Sequence, residues 1–73
     1  MDRTLRPVDN GCRYIVRDRA NGVAEALALA PALLELCPPD CYPVRIEIEK
    51  PRDGARGTSC TVTFQVAGKP KRW

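Results

Sequence analysis

The sequence predicts an α+β domain in which one helix covers one face of a three-stranded sheet, in the order strand, helix, strand, strand. Three observations carry this reading. CRYIVRD, residues 12–18, alternates with the period of a strand; residues 22–37 place their apolar side chains with the period of a helix; VRIEIE (44–49) and CTVTFQV (60–66) alternate cleanly.

Residues 1–11 read as a flexible arm, because TLRPVDNG holds a proline and an Asn-Gly pair and shows no period, with Leu5 and Val8 available to tack it to the body. In the first strand Cys12, Tyr14 and Val16 share one face, while Arg13, Ile15 and Arg17 share the other. RANG, residues 19–22, ends that strand, and Asn21 is placed to cap a helix. Along the helix Val23, Ala26, Leu27, Ala30, Leu33, Leu34 and Cys37 gather on one broad face, opposite Glu25, Ala28, Ala32 and Glu35. Pro31 falls on the outer face. A competing pattern makes VAEAL the return strand of a hairpin and starts the helix near Ala30.

CPPDC, residues 37–41, stops the helix, since Pro38 and Pro39 cannot continue it, and Tyr42-Pro43 leads into the next strand. Val44, Ile46 and Ile48 then alternate with Arg45, Glu47 and Glu49, and Cys60, Val62, Phe64 and Val66 with Thr61, Thr63 and Gln65. The connection KPRDGARGTS is long for a hairpin and should project Lys50, Arg52 and Arg56 at its tip. A single domain over 12–68 then gives way to a basic tail, residues 69–73. A right-handed crossover makes the first and second strands parallel and the third antiparallel to both.

At 73 residues with a net charge of +3, the chain supports one small core and a mildly basic surface. The polar first ten residues lack the apolar centre of an export signal, so a cytoplasmic location with reduced thiols is expected. The longest apolar stretch is too short to span a bilayer and is broken by Glu25, Pro31 and Glu35, so no membrane role is expected.

With no histidine, a zinc site would need all four cysteines at one point. Cys12, Cys37 and Cys41 fall at one end of the predicted sheet and Cys60 at the other; Cys12, Cys37 and Cys60 are in phase with core positions, and only Cys41 lacks a packing reason from phase. Packing is therefore the expected role, a CxxxC redox pair is the alternative, and neither metal nor cofactor is expected. Catalysis lacks its usual parts: there is no imidazole base, no phosphate loop, no nucleophile elbow, and Ser59 is the only serine. A non-enzymatic protein follows.

The basic side chains form the stronger candidate site. Arg13, Arg17 and Arg45 project from the sheet face away from the helix, Lys50, Arg52 and Arg56 from the hairpin tip, and Lys69, Lys71 and Arg72 from the tail. Guanidinium groups grip carboxylates or phosphates with two prongs. Cross-strand pairing with Glu47 and Glu49 is the plainer role for the sheet-face arginines. Nucleic acid as specific ligand is disfavoured because the outward positions Ile15, Thr61, Thr63 and Gln65 offer no aromatic ring for stacking. Leu29 and Leu36 at the edge of the helix face, and Trp73 in the tail, suit apolar contact with a protein partner.

The order of elements over residues 12–73, with its YIVRD and VRIEIE strands and its GKPKRW tail, resembles the small phage-encoded anti-CRISPR proteins, above all the basic ones. That resemblance implies an inhibitor in the host cytoplasm. It would bind a subunit of a CRISPR effector complex through Arg13, Arg17, Arg52, Arg56 and the tail, and so block target nucleic acid. YPVRIEIEK followed by DG and VTFQV is also similar to the sheet of small antitoxins that neutralise RNA-cleaving toxins, although their acidic, glycine-rich continuation is missing. Direct nucleic-acid binding is the third reading.

Overall fold

The structure is a computed structural model that describes residues 3–50 and 57–68. Its elements are β1 (Arg6–Val8), a 3-10 turn (Asp9–Gly11), β2 (Arg13–Ala20), α1 (Val23–Leu34), β3 (Cys41–Glu49) and β4 (Thr58–Val66). The four strands form one antiparallel-paired sheet in the order β1-β2-β4-β3. The α+β class holds, but the expected three-stranded sheet is corrected to four strands.

The added strand comes from the stretch read as an irregular arm. Arg6, Pro7 and Val8 pair with Ile15, Tyr14 and Arg13. Pro7 lacks a backbone N–H and is tolerated because β1 is an edge strand. Asp9, Asn10 and Gly11 all take positive φ (51°, 57° and 85°), which turns the chain back sharply. Asn and Gly adopt this conformation most readily, so the Asn-Gly pair is a hairpin turn rather than a mark of disorder.

β2 and β3 run parallel, as a β-α-β crossover requires, and β4 is inserted between them. Because directly opposed residues share a face, the register puts Tyr14, Val16, Asp18, Cys60, Val62, Phe64, Ile46 and Ile48 on the helix side. Val16, Ala26, Leu33, Cys60, Val62 and Phe64 form the buried core, and Leu5, Leu29, Leu34, Cys37 and Cys41 pack around it. Leu29, expected as an apolar contact for a partner, is instead part of this packing, while Leu36 is 36% exposed.

Residues 23–29 are helical, which excludes the hairpin alternative. The cap is Gly22, not Asn21, whose backbone N–H donates to Glu25 Oε1 at 3.0 Å. Two residues expected in the buried face are open: Val23 is 40% and Leu27 54% exposed. α1 lies over β2 and β4, the central strands, and leaves the β3 edge with less cover. Val8, expected to tack the arm to the body, lies in β1, pairs with Arg13 of β2 and shares its open face.

One core-side group is charged. Asp18 is 5% exposed and accepts from Arg3 Nε at 2.6 Å and from the Arg19 backbone N–H at 2.8 Å. The Arg3 hydrogen bond holds its carboxyl below the usual carboxylate range, against the opposing pull of burial. This bond clamps the segment before β1 onto β2. No periodicity could have revealed it, because it joins two residues 15 positions apart through a side chain alone.

Candidate binding face

The sheet face away from α1 is uncovered by any described element, and the register assigns its residues. Across the sheet its rows read Val8, Arg13, Gln65, Tyr42; then Arg6, Ile15, Thr63, Arg45; then Arg17, Thr61, Glu47; then Arg19, Ser59, Glu49. Arg13, Arg17 and Arg45 therefore stand on one face, as their phase predicts. Arg6 and Arg19 join them, which the sequence reading missed because it ended the first strand at Asp18 and left residues 6–8 outside the sheet.

The strand order divides the charges. β1 and β2 supply Arg6, Arg13, Arg17 and Arg19; β3 supplies Arg45, Glu47 and Glu49; β4 inserts a neutral strip of Ser59, Thr61, Thr63 and Gln65. Two strand spacings, about 10 Å, then separate the β2 arginines from the β3 glutamates. Among the described residues neither Glu47 nor Glu49 is paired with an arginine. The expected cross-strand pairing thus fails for a reason of topology.

Within the basic half the arginines differ in their ties. Arg13 is fixed twice, by its Nη1 at 3.1 Å from Asp9 Oδ2 and by its Nε donating to Gln65 Oε1 at 3.0 Å. Gln65 in turn donates from Nε2 to the Cys12 carbonyl at 3.1 Å. Arg17 makes a longer contact, Nε to Thr61 Oγ1 at 3.4 Å, and its side chain is exposed. Long arginine stems lying across β4 explain why Thr61 and Gln65 are buried on an otherwise open face. Thr4, Arg6, Ile15 and Arg17 line a pocket of about 120 Å³ here, where Ile15 is opposed by Arg6 across the strands and followed two residues on by Arg17. Such a pocket suits a carboxylate or phosphate carried on a small apolar stem.

Tyr42 also stands on this face, beside Gln65, and is 50% exposed. Among the described residues the face thus has one aromatic ring, contrary to expectation, although it lies in the half away from Arg17. Lys50 is exposed just after β3. Arg52, Arg56, Lys69, Lys71, Arg72 and Trp73 lie outside the described residues.

The four cysteines do not gather at one point. Val66 of β4 pairs with Cys41 on one side and donates its N–H to the Cys12 carbonyl at 3.0 Å on the other. Cys12 and Cys41 flank β4, and two strand spacings exceed what a disulfide spans. The Cys37 thiol donates to the Cys41 carbonyl at 3.2 Å, and the Cys41 thiol to Asp40 Oδ1 at 3.6 Å. Partial desolvation and the Asp40 carboxylate push the Cys41 thiol up; burial, then the nearby Asp18, do the same to Cys60. Thiols held protonated are poor nucleophiles. Cys41, for which the sequence offered no packing reason, pairs with Val66 and packs against the core. All four cysteines are free, and among the described residues no three His, Cys, Asp or Glu side chains gather to hold a metal. Thiol titration of the unfolded protein under non-reducing conditions should therefore count four; a count of two would show a disulfide and contradict this geometry.

No described helix is long and apolar enough to cross a membrane. No family model, curated protein or solved structure matches the chain, so its fold and its split face stand on its own residues.

Proposed function

We propose that the chain is a non-enzymatic binding protein that engages an anionic patch on a protein partner through the basic half of its open sheet face. The observation that carries this reading is the Thr4, Arg6, Ile15, Arg17 pocket, extended along β2 by Arg19. An isoleucine with arginines beside it on its own strand and on the neighbouring one offers the apolar centre and charged rim that protein interfaces use. A purely phosphate-tracking surface has no need of that isoleucine. The resemblance in element order and basic surface makes the partner a subunit of a host CRISPR effector complex, bound in the cytoplasm so that target nucleic acid is blocked.

The test is affinity capture from a host that carries a CRISPR system, with the wild-type chain and with the Arg17→Glu/Arg19→Glu double variant. Both side chains are exposed, so the fold should survive. Wild type should retain an effector subunit, and the variant should lose at least about tenfold in affinity, the scale of reversing charges opposite an acidic patch. Recovery of no effector subunit sinks the choice of partner. Equal binding by the variant sinks the choice of face. A steep loss of affinity with salt, on nucleic acid alone, would favour direct nucleic-acid binding instead.

A further inference from the structure

The two edges of the sheet are protected very differently. β1 is three residues long and contains Pro7, two devices that discourage another strand from pairing. β3 runs nine residues, and its outer edge meets no other described strand. Pro43 and the register shift between Pro43 and Arg45 blunt only its beginning. From Arg45 to Glu49 the edge is regular, with alternating side chains.

This edge also carries the chain's apolar surplus. Val44 is 50% and Ile46 46% exposed, with Ile46 on the helix side of the sheet. A right-handed crossover turns the helix flank bearing Val23 and Leu27 toward β3. These two are 40% and 54% exposed. Four half-open apolar side chains on neighbouring elements of so small a chain mark an interface.

We propose that β3 pairs with β3 of a second copy of this chain, antiparallel about a two-fold axis through Ile46 and normal to the sheet. The choice of occupant rests on charge. In this register Ile46 opposes Ile46 of the second copy, Arg45 opposes its Glu47, and Glu47 opposes its Arg45. Val44 falls beside Ile48 on the flanks. Moving the axis to Glu47 sets Glu47 against itself, moving it to Arg45 sets Arg45 against itself, and a one-residue slip sets Ile46 against Glu47. Like charges directly opposed across strands are unfavourable, and two opposite-charge pairs flanking an apolar one are favourable. VRIEIE is therefore self-complementary in one register among its neighbours. The product is a continuous eight-stranded sheet, twice the four strands of one chain, with both helices on the same side. An isologous contact of this kind closes on itself and leaves the blunted β1 edges outermost.

The experiment is sedimentation velocity on the full chain, wild type against Arg45→Glu and Glu47→Arg, each alone and mixed. Wild type should sediment with twice the mass of one chain. Each single variant opposes like charges at both symmetric pairs, and its dimer should weaken about tenfold or more. An equimolar mixture should recover the dimer as a heterodimer, because the acidic edge of one variant then faces the basic edge of the other. A wild-type chain that stays monomeric overturns the proposal. So does a dimer indifferent to the single variants, or a mixture that fails to recover while both variants remain folded by circular dichroism. Neither Arg45 nor Glu47 lines the pocket used above, so this outcome is independent of partner capture.

Discussion

Phe64→Ala should abolish the folded state at physiological temperature. Phe64 is fully buried on the central strand, between Tyr14 of β2 and Pro43 of β3. Removing its ring costs about 3–5 kcal/mol, from lost burial and from the cavity left behind. A single core in a domain of this size supplies a total of about the same magnitude. Urea unfolding followed by circular dichroism should show no native baseline for the variant at 37 °C. A cooperative transition close to that of wild type would mean that the core is centred elsewhere.

Arg3→Ala should lower the unfolding free energy by about 2 kcal/mol at neutral pH, because among the described residues it leaves the buried Asp18 carboxylate with only the Arg19 N–H as a hydrogen-bond donor. The figure sits below that of a fully buried pair because the Arg3 side chain is 34% exposed. The pH dependence follows from the direction of the shift. Asp18 titrates lower in the folded state than in the unfolded chain, so its contribution is fully present above about pH 4, the unfolded carboxylate range. It is lost as pH falls through the folded value. The gap between wild type and Arg3→Ala in urea midpoint should be widest near pH 7 and should narrow below pH 4. A gap that stays constant with pH would show that Arg3 acts through packing rather than through its charge.

Much of the sheet was legible because alternation is a local property. The open-face positions of Arg13, Arg17, Arg45, Glu47 and Glu49 follow from period alone, and the register agrees with them. Other features were not legible, each for a physical reason. β1 is too short to show a period, and only its Asn-Gly turn could have announced it. The central place of β4 is a matter of topology, invisible to any window of sequence, yet it separates the arginines from the glutamates. The exposure of Leu27 depends on where the helix sits across the sheet, which its own apolar stripe does not specify. The Arg3 to Asp18 clamp had no signal at all, since an isolated Arg and an Asp in phase with core residues are each ordinary.

β4, the last described strand along the chain, is an inner strand that lies between β2 and β3, and this governs how the protein comes into being. β2 and β3 each pair with β4 and never with each other. The Arg13 to Gln65 contact closes a separation of 52 residues. Until Thr58–Val66 has left the ribosome, the chain holds at most the short β1–β2 hairpin and a helix whose apolar stripe has nothing to cover. Folding is therefore dominated by long-range closure that waits for β4, slower than the number of residues alone would suggest. Until β4 docks, the VRIEIE segment is open along both of its edges.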